Sequence, residues 1–170
     1  MNSRYIFKTT LVFFFLLGSK LYSQEVILNY INTDSLFNFI VGSQKAAVIQ
    51  YWVPSCPSSE LQLVEYSRLV DKYGESVDFY FIGLTKSIKY LDGAKKHHNL
   101  HSSIYLIDTL TLGEDLFEKK ENFNFQIMKL LGTKRQKDFI TAYIDEKTKK
   151  YSNGLKIDEK RINKMLKNGN

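Results

Sequence analysis

Short apolar runs alternate with amphipathic stretches along most of the chain. The runs at 45–53, 76–85 and 102–108 are rich in apolar, β-branched and aromatic residues, which is typical of strands buried on both faces. The stretches between them place apolar residues three and four positions apart, as helices with one buried face do. The pattern predicts strands at 25–31, 45–53, 76–85, 102–108 and 138–146, with a turn and a return strand at 149–154. It predicts helices at 32–42, 57–74, 87–100 and 157–168, and one or two helices at 113–132.

Strands and helices alternate until a closing hairpin and a last helix. That order predicts an α/β fold with a mostly parallel, mixed central β-sheet flanked by helices. The helix residues expected to face inward are Leu36, Phe37, Ile40 and Val41, then Leu61, Val64, Leu69 and Val70, then Phe117, Phe123 and Phe125, and finally Ile157, Ile162, Met165 and Leu166.

The first 23 residues have the composition of an export signal. Arg4 and Lys8 precede the apolar run LVFFFLLG, and small and polar residues follow it up to Ser23. This is the charged, apolar, polar order of a cleavable signal peptide, and the run is too short to span a bilayer. We therefore predict a signal peptide at 1–23, one domain at 24–170, and a periplasmic or secreted protein with no membrane span after cleavage. A retained N-terminal anchor is the alternative.

Charge and motifs narrow the possible functions. Removal of Arg4, Lys8 and Lys20 with the leader lowers the formal net charge from +6 to +3, and the remaining basic residues are dispersed, so no nucleic-acid partner is expected.

His97 and His101 have a spacing that suits a metal on a helix, but no carboxylate or cysteine ligand adjoins them in sequence. We expect a solvated helix end there, with no metal and no cofactor.

Cys56 is the only cysteine, and its position is distinctive. It follows a predicted buried strand and directly precedes a predicted helix that has Pro57 at its first position. Free backbone N–H groups and the helix dipole favour a thiolate at such a position, and a nearby serine hydroxyl is a further donor. The sequence thus predicts a thiol with a lowered pKa at the start of a helix. A buried, inert cysteine is the alternative reading.

The stretch QYWVPSCPSS, residues 50–59, resembles the active site of thioredoxins, in which an aromatic strand ends before a Cys-x-x-Cys helix start. The element order from about residue 45 to 168 is similar to that of the thioredoxin-like superfamily. The strand and helix near 102–132 resemble the insertion of its exported branch, the TlpA-like disulfide reductases and their alkyl hydroperoxide reductase relatives. The resemblance implies a thioredoxin-like fold and a thiol chemistry centred on Cys56.

The chain departs from that family at several matching positions. Ser59 stands where the family has its resolving cysteine, which leaves a Cys-x-x-Ser motif. Gln50 and Gln62 occupy positions at which relatives carry acids, and an amide cannot accept a proton there. No proline follows Pro57, so the family's cis-proline has no counterpart, and the matching peptide bond near Asp138 is expected to be trans.

Two hypotheses follow from these residues. In the first, Cys56 and Ser59 form a monothiol exchange site, with Trp52, Pro54, Pro57 and Ser58 as its rim, and the partners are protein thiols or disulfides of the cell envelope. In the second, the chain is a redox-inactive binding or structural module whose cysteine is residual. An exposed sulfur favours the first hypothesis and a sealed one favours the second. The sequence predicts no oligomeric state.

Overall fold

A computed structural model gives the structure of the protein. It describes residues 29–54, 56–85, 91, 93, 103–108, 115–133, 138–147 and 151–169. The predicted signal peptide, most of the helix predicted at 87–100 and its histidines therefore lie outside the described residues. Among the helices of the described part, none has the length and apolar character needed to cross a membrane.

Six strands and four helices make up the described part of the chain. The strands are β1 (Asn29–Ile31), β2 (Ala46–Trp52), β3 (Val77–Gly83), β4 (Ile104–Ile107), β5 (Thr141–Ile144) and β6 (Tyr151–Gly154). The helices are α1 (Thr33–Gly42), α2 (Ser59–Tyr73), α3 (Leu116–Leu130) and α4 (Glu159–Gly169). The strand and helix predicted near 102–132 are β4 and α3.

The strands form one sheet in the order β1-β4-β3-β2-β5-β6. β1, β4, β3 and β2 are parallel to one another, whereas β5 is antiparallel to β2 and β6 to β5. β2 lies between β3 and β5, and all seven of its residues are buried. The prediction of a mostly parallel, mixed sheet is confirmed, and its central strand is the one that leads to Cys56.

Helices cover both faces of the sheet. On one face, Leu36 and Ile40 of α1 and Phe123 and Ile127 of α3 pack against strand residues such as Ile49. On the other face, α2 and α4 cover two smaller clusters, which are built around Trp52, Leu63 and Phe81 and around Val48, Leu69 and Ile162. This is the layered arrangement that buries a sheet whose strands are apolar on both sides.

Five of the residues expected to face inward are exposed instead: Val41, Leu61, Val64, Phe117 and Phe125. In α2 the buried stripe is Ser59, Leu63, Tyr66, Leu69 and Tyr73, so two tyrosines take core positions that the prediction gave to Leu61 and Val64. In α3 the buried stripe includes Lys119, Lys120 and Asn124 in addition to Phe123. The prediction followed aliphatic residues and phenylalanines, whereas the fold also buries long polar side chains along their apolar stems.

A cluster of charged and hydroxyl groups joins α2 to α4. Glu159 in the first turn of α4 accepts hydrogen bonds from Lys72 Nζ at 2.6 Å and from the Tyr73 hydroxyl at 2.8 Å, and it also contacts Arg68. These partners lower the pKa of Glu159 to about 2. Since the folded-state pKa lies below the usual value for glutamate, the cluster stabilises the fold above about pH 4 and loses that contribution as the pH falls toward 2.

The matched pair Leu63 and Leu61 tests how α2 is oriented. Leu63 is 0% exposed and Leu61 is 74% exposed on the same helix. We predict that Leu63→Ala lowers the free energy of unfolding by about 2–5 kcal/mol, because it leaves a cavity in the core. Leu61→Ala should change it by less than about 0.5 kcal/mol. Urea denaturation of the two variants checks this; equal costs would mean that α2 is rotated from the orientation described.

Candidate functional site

The carboxyl end of β2 carries the candidate site. β3, the parallel neighbour of β2, ends at the same edge of the sheet, where ligand sites of such sheets usually lie. Leu84 N donates to Trp52 O at 2.8 Å, which fixes the end of β2 against the end of β3. The chain then turns back: Cys56 N donates to Val53 O at 3.0 Å, and Ser59 N donates to Cys56 O at 2.9 Å.

Trp52 packs between this turn and the core. Its side chain is 2% exposed and packs with Leu63 and Phe81. The indole Nε1 donates to Ser59 O at 3.2 Å, so the last residue of β2 binds the first residue of α2. Trp52 is therefore part of the base of the site and not of its rim, because its ring is taken into the core by α2.

Cys56 is half-exposed just before α2 and is a free thiol. Its Sγ lies 3.2 Å from Ser58 Oγ. The hydrogen bond from the Ser58 hydroxyl, followed by one from the Ser58 backbone amide, lowers the pKa of Cys56 below its usual value. Both donors favour the thiolate, because they stabilise the charged form of the sulfur.

The two serines of the motif have different environments. Ser59 is 6% exposed, and its hydroxyl donates to Pro54 O at 3.0 Å. That hydrogen bond closes the turn and uses the only proton of the Ser59 hydroxyl, so the side chain that contacts the sulfur is Ser58. Pro54 is half-buried, whereas Pro57 and Ser58 are exposed. α2 begins at Ser59, so Pro57 lies in the turn before the helix and not at its first position as predicted.

Two residues of α2 continue the polar contacts from Ser58. Gln62 Nε2 donates to Ser58 Oγ at 3.2 Å, and the Tyr66 hydroxyl lies 3.4 Å from Gln62 Oε1, to which it donates. Tyr66 is 4% exposed, and its ring stacks on Phe81 with centroids 4.5 Å apart. Burial raises the pKa of Tyr66, so it stays a neutral hydrogen-bond donor. Gln62 was identified from the sequence, whereas Tyr66 was not.

Gln50 lies deeper in β2 and pairs with β5. Thr141 Oγ1 donates to Gln50 Oε1 at 2.6 Å, and both residues are buried. Gln50 Nε2 donates to Tyr51 O at 2.6 Å. The two side chains satisfy each other without an ionisable group, so this position offers no proton donor or acceptor for acid–base chemistry.

The segment before β5 flanks the end of β2. Tyr51 N donates to Ile140 O at 2.9 Å, and continuing this antiparallel ladder by two residues places Asp138 opposite Val53. The described peptide bonds include none in the cis form, and the bond between Asp138 and Phe139 is among them. The expectation of a trans bond at this position is therefore met.

A buried lysine binds this segment to α3. Lys120 Nζ lies 2.6 and 2.5 Å from the two oxygens of Asp138, and the Lys120 side chain is only 4% exposed. Asn124 Nδ2 donates to Asp138 Oδ1 at 2.6 Å, while Asn124 Oδ1 accepts from the Tyr51 hydroxyl at 2.8 Å. We call these four residues, Tyr51, Lys120, Asn124 and Asp138, the Lys120 network.

The sequence analysis did not find the Lys120 network. Its signal was the spacing of Lys120 and Asn124, which are four residues apart and share a face with the buried Phe123. Partial burial opposes ionisation of Asp138, but the hydrogen bonds from Lys120 and Asn124 outweigh it and lower the pKa of its carboxyl group. Burial, followed by the charge of Asp138, raises the pKa of Tyr51 well above its usual value.

No cluster of three or more histidine, cysteine or carboxylate side chains that could hold a metal occurs within the part of the chain that the structure describes. His97 and His101 lie outside that part, so the prediction made for them stays a prediction.

Comparisons with solved structures identify the fold. A solution structure of a thioredoxin-like protein in the oxidised form matches with 14% identity and a TM-score of 0.50, covering 82% of this chain and 86% of that one. A thiol:disulfide interchange protein of the thioredoxin family from Chlorobium tepidum TLS matches with 12% identity and a TM-score of 0.49, covering 82% and 90%. StoA from Bacillus subtilis matches with 14% identity and a TM-score of 0.44, covering 73% and 84%.

The fold is thioredoxin-like, as predicted. No protein-family model and no curated protein matches the sequence at a significant level. The likeness is thus one of architecture.

In the Lys120 network, loss of Asp138 should destabilise the fold more than loss of Lys120. Asp138→Ala should lower the free energy of unfolding by about 1–3 kcal/mol, because it leaves the buried Lys120 ammonium without its counter-charge. Lys120→Met should cost less, since Asp138 is half-exposed and keeps Asn124 as a donor. The cost of Asp138→Ala should shrink as the pH falls through the lowered pKa of Asp138. Urea denaturation of both variants at pH 7, and of Asp138→Ala also at pH 3, measures the two stability costs and the pH dependence. A larger cost for Lys120→Met than for Asp138→Ala would contradict this prediction.

Proposed function

We propose that the protein carries out thiol–disulfide exchange with a single cysteine, Cys56. The observation that supports this most directly is the half-exposed sulfur before α2, which receives hydrogen bonds from the hydroxyl and the backbone amide of Ser58. The thiolate is the nucleophile in disulfide exchange, and these donors increase its population near neutral pH.

The exchange proceeds in two steps. The Cys56 thiolate attacks one sulfur of a partner disulfide, a new bond forms between Cys56 and that sulfur, and the other partner sulfur leaves as a thiolate. A second, external thiolate then attacks the mixed disulfide and regenerates the Cys56 thiolate. The two steps move a disulfide from one pair of sulfurs to another, and the protein undergoes no net oxidation or reduction.

The second step needs a thiol from outside the chain. No other cysteine exists in the sequence, and the Ser59 hydroxyl donates to Pro54 O. Gln50 is buried in β2 and has no ionisable group that could assist the release. Release therefore depends on a partner protein thiol or a small thiol. Isomerase-like reshuffling of partner disulfides fits this requirement, whereas net dithiol reduction does not.

A redox-inactive binding module is the alternative from another class. It predicts a sulfur enclosed by the core, as is usual for a cysteine that acts only as a small apolar residue. Cys56 is half-exposed and has two hydrogen-bond donors. The exposure of the sulfur therefore favours exchange.

We also propose that the protein acts outside the cytoplasm, on protein thiols or disulfides of the cell envelope. The charged, apolar, polar order of residues 1–23 supports export. An oxidising compartment supplies the partner disulfides that a monothiol needs.

Capture of a mixed disulfide tests the proposed function. Incubation of the protein without its first 23 residues with a small aromatic disulfide should add one half of that disulfide to Cys56, as measured by intact mass. The adduct should persist after the excess reagent is removed, because the described turn offers no second sulfur. Added thiol should release it. Cys56→Ser should give no adduct.

Ser59→Cys provides the matched control, since it places a second sulfur three residues after the first. This variant should lose the adduct without added thiol, through an internal disulfide between positions 56 and 59. If the unchanged protein forms its adduct only after unfolding in urea, the exchange hypothesis is wrong and the binding module is the better account.

A further inference from the structure

Ser58 Oγ lies between two partners, Cys56 Sγ on one side and Gln62 Nε2 on the other, each at 3.2 Å. A serine hydroxyl has one proton to donate and two lone pairs to accept with. The Gln62 amide nitrogen can only donate, so the hydrogen bond from Gln62 occupies a lone pair of Ser58. The Ser58 proton is then free to point at the sulfur.

The orientation of the Gln62 amide is set at its other end. The Tyr66 hydroxyl donates to Gln62 Oε1, which leaves Nε2 facing Ser58. Tyr66 itself is held by burial in the core and by its stack on Phe81. With the Ser58 proton pointing at the sulfur, three successive hydrogen bonds run in one direction, from the core to the sulfur.

We propose that Gln62 is a positioning residue of the Cys56 site, because its amide orients the Ser58 hydroxyl as a donor to the sulfur. This inference rests on the proposed function and deepens it. It assigns to α2 a side chain that does not touch the partner disulfide but controls how readily Cys56 attacks it.

An oriented serine matters because Ser58 is exposed. Water competes for both the proton and the lone pairs of an exposed hydroxyl, so an unsupported serine donates to the sulfur for only part of the time. Glu60 lies in the first turn of α2, but it is not among the causes of the shift in the pKa of Cys56. The lowering of the pKa of Cys56 arises from the side chain and then the backbone of Ser58.

The test compares alkylation rates of Cys56 across pH in Gln62→Glu, Gln62→Met and the unchanged protein. Gln62→Glu should reverse the chain, since a carboxylate accepts the Ser58 proton and adds a negative charge. We expect its rate at pH 7 to fall about tenfold, and that of Gln62→Met about threefold, consistent with the usual strength of a hydrogen bond to a charged group. At high pH, where every thiol is ionised, the Gln62 variants should be no slower than the unchanged protein, because a thiolate with a higher pKa is the stronger nucleophile.

Gln126→Glu is the matched control for charge. It lies on α3, on the opposite face of the sheet, where it accepts from Thr33 Oγ1 at 3.0 Å. Its alkylation profile should equal that of the unchanged protein. In a Ser58→Ala background, Gln62→Met should have no further effect on the rate, because the residue that transmits it is absent.

The outcomes separate the two proposals. If Cys56 of the unchanged protein titrates at the ordinary value for a thiol, the proposed function fails. If Cys56 titrates below the ordinary value in the unchanged protein and at the same pH in the Gln62 variants, only the positioning role of Gln62 is overturned. A Gln62→Met effect that persists without the Ser58 hydroxyl would also overturn it.

Discussion

The structure depends on the pairing of β2 with β3 on one side and with β5 on the other. Parallel pairing with β3 continues to Trp52↔Gly83, and antiparallel pairing with β5 begins at Gln50↔Thr141. A strand held on both edges and buried on both faces ends at a fixed point. Trp52 then donates from its indole nitrogen to Ser59 O, the first residue of α2. The turn that carries Cys56 is therefore held at both ends.

The same constraint explains the division of roles around the sulfur. Ser59 and Trp52 face inward and close the turn, so neither can exchange protons with a partner. Ser58 faces outward and contacts Cys56, and Gln62 contacts Ser58 from the next turn of the helix. Among the described residues, the groups that contact the sulfur are the hydroxyl and the backbone amide of Ser58, which can stabilise a thiolate but cannot act as a general base. This suits exchange that begins from a thiolate already present.

The central strands and the layered order were predictable because their residues are apolar without interruption, which few other structures tolerate. The position of Cys56 before a helix was predictable for the same reason, since β2 ends beside it. Which faces of α2 and α3 are buried was not predictable in the same way. Tyr66 and Lys120 reach the core with polar tips, and whether such a tip finds a partner depends on residues distant in sequence, such as Asp138 for Lys120. Likewise, nothing local to the motif tells that Ser59 binds Pro54 O while Ser58 binds the sulfur.

The central claim is that folding makes Cys56 more reactive, because the turn and α2 bring donors to the sulfur that the unfolded chain lacks. The most direct measurement is the second-order rate of Cys56 alkylation at pH 7, in the folded protein and in the same protein unfolded by urea. The account predicts a faster rate in the folded protein. A slower rate in the folded protein would contradict it and would mean that the fold shields the sulfur instead of activating it.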